Sequence, residues 1–230
     1  MKSEKYALAL CQNPQPRCPV HLLVDCSTSM VGKPIEELHQ GVDQFFNEVD
    51  RDPFARLSVE ATVIAFGYRV HALVSNHSMA EGNFPSLPRL EANGSTPMGG
   101  ALSKALGMIG GQRATYRKNG VSSYKPWIVL LTDGEPNDDW EEPARQAREM
   151  ATRNQLVFFG IGIGPYVNMP LLGEILPDNC PPAKLKGLRF AAFFRWLSDS
   201  LGAQSRDSVD SSTQLPPMDE WAEGDWDWEA

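Results

Sequence analysis

The sequence predicts a doubly wound α/β domain: a mostly parallel sheet of about six strands with one antiparallel edge strand, covered by helices on both faces. Three observations carry this. Short apolar runs at Val20–Val24, Trp127–Thr132 and Leu156–Ile163 have the length and content of strands buried on both faces. Between them lie segments whose apolar residues recur at three- and four-residue steps, as on one face of a helix. The two kinds of segment alternate along the chain, which is the order of parallel strands joined by crossover helices.

The elements follow in order. Residues 1–18 form an N-terminal extension with Pro14 and Pro16, in which Tyr6–Leu10 is either an extra edge strand or a loose arm. Val20–Val24 is the first strand, followed by Asp25-Cys26-Ser27-Thr28-Ser29. Pro34 suits the first turn of a helix, and Ile35, Leu38, Val42, Phe45 and Val49 give it an apolar face. Arg56–Phe66 reads as the next strand, and Gly67-Tyr68 turns it tightly into Arg69–Val74, so this pair is antiparallel. Ser75–Leu90, with Pro85 and Pro88, reads as loop. Gly94 allows a bend into Ser95-Thr96-Pro97, and Met98, Ala101, Leu102, Ala105 and Ile109 line the helix after it.

Gln112–Lys125 is polar and is expected to be partly surface loop. Trp127–Thr132 is a central strand that ends in Asp133-Gly134. Glu141 and Glu142 suit the first turn of a helix that ends near Arg153. Leu156–Ile163 is a further buried strand; its glycines lack the complete dinucleotide fingerprint and are read as close packing. Met169–Leu176 forms a short helix stopped by Pro177, and Ala183–Leu188 holds the last strand. Phe190, Phe193, Phe194, Leu197 and Leu201 line a closing helix. The domain thus spans 19–202, and 203–230 is predicted to be a flexible acidic tail.

The 230 residues carry a net charge of −8, and it is unevenly placed. From Ala203 onward eight acidic residues face only Arg206, so the tail holds −7 and the body is nearly neutral. No basic stripe of the kind that nucleic-acid binding needs is present. No apolar run reaches the length of a membrane span, and Tyr6–Cys11 is too short for a signal-peptide core, so a cytoplasmic location is expected. Cys11, Cys18, Cys26 and Cys180 match no zinc spacing and are expected to be reduced.

Three of the predicted strand-end loops carry side-chain oxygens. In open α/β sheets ligands bind at the carboxyl ends of strands, and these loops would bring Asp25, Ser27, Ser29, Thr96 and Asp133 together. The D-x-S-x-S loop, the later Thr before Pro and the T-D-G loop resemble the metal-ion-dependent adhesion site of von Willebrand factor A (vWA) domains, which have a Rossmann-like fold. Arg51-Asp52-Pro53, Lys125-Pro126-Trp127, Thr132–Trp140 and Phe193–Ser198 narrow the resemblance to the bacterial TerY-type vWA proteins of tellurium-resistance and stress clusters.

That resemblance implies a single divalent ion, Mg²⁺ with Mn²⁺ or Ca²⁺ as alternatives, held by Ser27, Ser29 and Thr96 with Asp25 and Asp133 beside it. A hard cation wants oxygen donors, and one whose nearest ligands are mostly neutral hydroxyls keeps its appetite for a further carboxylate. In the family that carboxylate comes from a protein partner. The expected activity is therefore non-enzymatic, metal-dependent protein binding. TerY-type relatives work beside a Ser/Thr kinase and a PP2C-like phosphatase as scaffolds; other bacterial vWA proteins serve as adaptors of AAA+ ATPases. A Mg²⁺-dependent hydrolase would need a base and more carboxylates than Asp25 and Asp133 supply. Trp221, Trp226 and Trp228, interleaved with acidic residues in the tail, are candidate anchors for a partner.

Overall fold

The computed structural model describes residues 13–82, 87–209 and 213–224. Tyr6–Leu10, Cys11, Trp226 and Trp228 lie outside the described residues. Seven strands, β1 (Cys18–Asp25), β2 (Val59–Phe66), β3 (His71–Ser78), β4 (Trp127–Thr132), β5 (Val157–Gly162), β6 (Ala183–Leu185) and β7 (Ala222–Glu223), form one sheet in the order β3-β2-β1-β4-β5-β6-β7. The five central strands are parallel, and β3 and β7 run antiparallel at the two edges. Among the described residues six α-helices surround the sheet: α1 (Lys33–Arg51), α2 (Pro53–Ser58), α3 (Met98–Asn119), α4 (Glu141–Thr152), α5 (Met169–Ile175) and α6 (Phe190–Gln204). The doubly wound mixed sheet is the architecture that the sequence predicts.

Alternation along the strands sorts the core into two layers. Val20, Leu22 and Val24 of β1 point to one face, where they meet the apolar stripes of α1 and α6. Leu23 points to the other, with Ile64, Ile128 and Leu130, against α3, α4 and α5. Every residue of β1, β2, β4 and β5 is buried, as strands covered on both faces must be. Among the described residues no helix is long and apolar enough to cross a membrane.

Three expectations are corrected. Arg56–Ser58 belongs to the short α2, because Asp52 caps it by accepting from the amides of Phe54 and Ala55, both at 2.9 Å, and Pro53 suits its first turn. Gln112–Asn119 continues α3 rather than forming a loop. The reason is a buried polar network that period-counting of apolar residues misses. Gln112 and Tyr116, one helical turn apart, reach Glu60 of β2, with the Tyr116 hydroxyl donating to it at 2.7 Å. The Arg17 guanidinium lies 3.4 Å from the same carboxylate. Gln112 Oε1 accepts from His21 Nε2 at 3.0 Å, and burial lowers the His21 pKa to about 4, so this imidazole is neutral. Arg17 and Cys18 are therefore integral to the fold, although the sequence places them in the extension.

The third correction concerns the tail. α6 runs to Gln204, and the chain returns at Thr213–Gly224 to pack on the domain. Met218, Trp221 and Ala222, at three- and four-residue spacing, are buried, while the acidic residues between them face outward. The Trp221 ring meets Phe193 edge-on at 4.9 Å and Trp196 at 5.0 Å. The Trp196 indole N–H donates to the Pro216 carbonyl at 2.8 Å, and Lys184 pairs with Glu223 at 3.2 Å. This segment supplies β7, the strand beyond the six expected, and closes the β6 edge. Trp221 is thus core, not an anchor for a partner. Acidic composition suggested a solvated tail, but Glu223 pairs with Lys184, while Lys186 and Arg189 donate to the Asp219 and Glu220 carbonyls, and the carboxylates of Asp219 and Glu220 stay in water as Trp221 packs inward.

Trp221→Ala should lower unfolding free energy by about 3–5 kcal/mol, the usual cost of emptying a buried aromatic site. Urea denaturation followed by circular dichroism checks this; a loss under about 1 kcal/mol would show that the segment is only loosely applied.

Candidate metal centre

β1, β2 and β4 end at one rim of the sheet, with Asp25 in register with Phe66 and Val24 with Leu131. The first and third metal loops leave β1 and β4 there; the second, expected at a strand end, instead follows the long segment after β3, which ends at Ser78, and reaches the same rim just ahead of α3. In the first, Asp25 is fully buried; its Oδ1 accepts from the Ser27 amide at 2.8 Å and its Oδ2 from the Thr132 hydroxyl at 2.6 Å. Ser27 Oγ and Ser29 Oγ are 2.9 Å apart, and the Ser29 hydroxyl donates to Asp133 Oδ1 at 2.7 Å. Thr96 Oγ1 and Asp25 Oδ2 lie 3.3 and 4.0 Å from the place that a Cβ would take on Gly134, so all three loops meet at that glycine. The five predicted residues Asp25, Ser27, Ser29, Thr96 and Asp133 are therefore brought together.

Main-chain bonds hold the loops to one another. The Cys26 amide donates to the Phe66 carbonyl and the Asn93 amide to the Cys26 carbonyl, both at 2.7 Å. The Thr28 amide and hydroxyl both donate to the Gly94 carbonyl, at 3.0 and 2.9 Å. Gly94 adopts φ +85° with the Tyr68 backbone against it, a place where a side chain would collide.

Two residues of the site escape a reading of the sequence. Thr132, read as the end of a strand, orients Asp25. Asp138 fastens the third loop to the second: Oδ1 accepts from the Gly99 amide at 2.9 Å and Oδ2 from the Gly100 amide at 2.8 Å, at the positive N-terminus of α3. The Asn137 amide adds a bond to the Thr96 carbonyl at 3.2 Å. The only signals in the sequence are an aspartate beyond the T-D-G loop and a Gly-Gly pair opening a helix, 38 residues apart, and nothing in the chain order links them.

The donor set fits a hard divalent cation. It offers three neutral hydroxyls and two carboxylates, whose combined charge matches the ion. The spacing fits as well: ligand oxygens that share an octahedral edge around Mg²⁺ sit about 2.9 Å apart, close to the Ser27–Ser29 and Ser29–Asp133 separations. Among the described residues no three His, Cys, Asp or Glu side chains gather to hold a metal, so the hydroxyls define this centre. Burial pushes the Asp25 pKa up to about 6, against the hydrogen bonds from Thr132 and Ser27, and the nearby Asp133 charge adds to the rise. Burial likewise raises Asp133, opposed by the bond from Ser29.

A doubly wound domain with a hydroxyl-rich oxygen ring at its strand ends defines a class of cation-centred binding domains. The von Willebrand factor type A domain model matches residues 20–190, and the chain belongs to that family. Similar solved structures include the von Willebrand factor domain of the pilus tip protein Mfa5 from Porphyromonas gingivalis. It is 11% identical with a TM-score of 0.60, over 86% of this chain and 99% of that one. Proximal thread matrix protein 1 from the mussel byssus is 16% identical with a TM-score of 0.57, over 82% of this chain and 49% of that one. The chain thus spans about half the length of the mussel protein, one structure of which has a zinc-occupied MIDAS motif. The manganese-loaded TRAP protein of Plasmodium vivax is 21% identical with a TM-score of 0.52, over 77% of this chain and 71% of that one. These likenesses show the fold.

Ionised Asp25 costs the metal-free fold about 3 kcal/mol, since its pKa lies about two units above an ordinary carboxylate. The cost is present above about pH 6 and disappears as pH falls through 6 toward about 4, where the folded chain already holds the proton. Asp25→Asn should therefore be the more stable protein at neutral pH without metal, by up to about 3 kcal/mol, and this advantage should shrink toward pH 4. Adding Mg²⁺ should raise the Tm of the wild type alone. Thermal melts of both proteins across pH, with and without Mg²⁺, check all three statements.

Proposed function

We propose that this chain is a non-enzymatic, metal-dependent protein-binding module. The observation that carries this is the ring of Ser27, Ser29, Thr96, Asp25 and Asp133 oxygens at an exposed rim, with hydroxyls outnumbering carboxylates. When bound, a divalent ion supplies an electrophilic position that takes an Asp or Glu carboxylate of the partner; Mg²⁺ is the physiological candidate, and Mn²⁺ or Ca²⁺ are alternatives.

The chain's own residues divide the work. Ser27, Ser29 and Thr96 would face the ion directly, leaving it underneutralised. Asp25, held by Thr132 and the Ser27 amide, supplies buried negative charge beneath it. Asp133 orients Ser29, and Asp138 holds the third loop against α3. The manganese-loaded and zinc-occupied relatives support a divalent ion at this place. The non-enzymatic reading is supported by His21, which is buried, neutral and engaged with Gln112, so it cannot serve as a base.

The TerY-type motifs support a finer reading: a cytoplasmic scaffold in a bacterial stress or phospho-signalling system, with a Ser/Thr kinase and a PP2C-like phosphatase as partners. Those motifs also perform structural work here. Asp52 caps α2 and pairs with Arg206, and Phe193, Phe194 and Trp196 line the core.

Calorimetry should give one Mg²⁺ per chain, with binding abolished in Asp133→Ala and weakened at least about tenfold in Asp138→Ala, the usual penalty for removing a group that positions a ligand. Capture of the kinase or phosphatase from native lysate should require Mg²⁺ and fail in EDTA and in Asp133→Ala. Capture indifferent to EDTA would sink the metal-dependent reading.

A further inference from the structure

A cleft of about 480 Å³ opens on the same rim, beside the metal loops. Tyr68, Arg69 and His71, from the turn into β3, form one wall; Arg89, Leu90 and Asn93, from the segment entering the second metal loop, form the other. Leu73 and the edge of the mostly buried Leu90 give it apolar surface. Its volume lies within the range of pockets that seat small ligands, enough for one large side chain. The cleft is continuous with the metal centre through the main chain. Cys26 lines it, stands between Asp25 and Ser27, and is bonded to Phe66 and Asn93 through its amide and carbonyl. A carboxylate at the metal loops and a side chain in the cleft can therefore belong to one short peptide.

The charges on the rim are polarised. On the cleft side Arg69 is exposed and makes no ion pair among the described residues. Arg89 shares Glu36 at 3.5 Å, but both side chains are more than half exposed, so that pair is weak and exchangeable. Glu91 is the carboxylate of the lining, and His71 keeps its Nδ1 buried without a hydrogen-bond partner among the described residues. On the opposite side of the metal loops Glu135, Asp139 and Glu141 are exposed. An acidic ligand seated at the centre meets carboxylates on that side, whereas on the cleft side Arg69 and Arg89 offset Glu91 and Glu36, so the cleft side is the less repulsive one and Arg69 is its exposed cation. Tyr68, 81% exposed, stands at the cleft's lip with Arg69 beside it, and Tyr and Arg are the residue types that anchor protein interfaces.

We propose that this cleft is the specificity site for the partner, an extended acidic segment of another protein. A large apolar side chain of that segment seats between Tyr68 and Leu90, and a neighbouring carboxylate meets Arg69 and Arg89. A further carboxylate of the same segment occupies the metal centre. The inference rests on the metal-dependent reading above and adds to it what the partner must carry beside its metal-bound acid.

The test uses the full chain in MgCl₂ and a set of short fluorescent peptides with a fixed central Asp and every residue varied at the flanking positions, read by anisotropy. The expected selection is Leu or an aromatic residue, with Asp or Glu beside it, on one side of the fixed Asp. Arg69→Glu should weaken the best peptide about tenfold and erase the preference for the flanking acid, as reversal of a rim charge does. Tyr68→Ala should weaken it severalfold and relax the apolar preference. Both positions are exposed, so the fold and the Mg²⁺ affinity, measured separately by melting and calorimetry, should not move. Normal Mg²⁺ binding with no flanking selection, or with selection unchanged in Arg69→Glu and Tyr68→Ala, overturns the cleft assignment alone. Absence of Mg²⁺ binding in the wild type overturns the metal reading, and the cleft assignment with it.

Discussion

The rim depends on one buried carboxylate. Asp25 has no solvent access, and its charged form is favoured by the Thr132 hydroxyl and by the amide and side chain of Ser27. Taking a carboxylate out of water is costly, and the raised pKa of Asp25 records that cost. The surrounding backbone is correspondingly over-determined. Cys26 is bonded to Phe66 and Asn93, Thr28 to Gly94, and Asp138 to the first amides of α3, so three loops from distant parts of the chain act as one rigid seat. Such a seat is what selective binding of a small cation requires, because Mg²⁺ tolerates little departure from ideal geometry.

Stability and function pull against each other at this seat, and the rest of the domain compensates. The central strands are buried on both faces, and two separate apolar layers flank them. The far end of the sheet is anchored by the buried Arg17–Glu60 pair with Tyr116 and Gln112. The open β6 edge is closed by the returning Thr213–Gly224 segment, with Trp221 seated among Phe193 and Trp196. These features lie away from the metal loops, so the cost of Asp25 is carried by packing that does not touch the site.

The rim is also asymmetric in a way that matters for recognition. Its β4 side presents carboxylates, and its β2–β3 side presents Tyr68 and a cleft where Arg69 and Arg89 offset Glu91 and Glu36. A cation centre alone would take any acidic residue. Under the proposed reading, the different charge of the two sides would give a bound segment a direction, and direction is a large part of specificity.

Much of this was legible in the sequence. Apolar runs and helical periods named the order of elements, and the placement of Asp25, Ser27, Ser29 and Asp133 just beyond β1 and β4 was enough to expect their convergence, because a parallel sheet delivers its strand ends to one rim; Thr96 follows no strand directly and is brought there by the segment ahead of α3. Patterns of this kind are local, and local patterns can be read along a chain. What the tertiary structure alone decided were relations between segments far apart. Asp138 lies 38 residues from the amide of Gly100 that it binds, and Gln112 and Tyr116 are polar yet buried because Glu60 waits across the layer. Trp221 reads as part of an acidic tail, and becomes core because Lys184 pairs with Glu223 and Lys186 and Arg189 donate to the Asp219 and Glu220 carbonyls, holding the segment so that its ring packs on Phe193. In each case the composition of a segment described how it would behave alone in water, and the partner that reversed that behaviour is supplied by the fold.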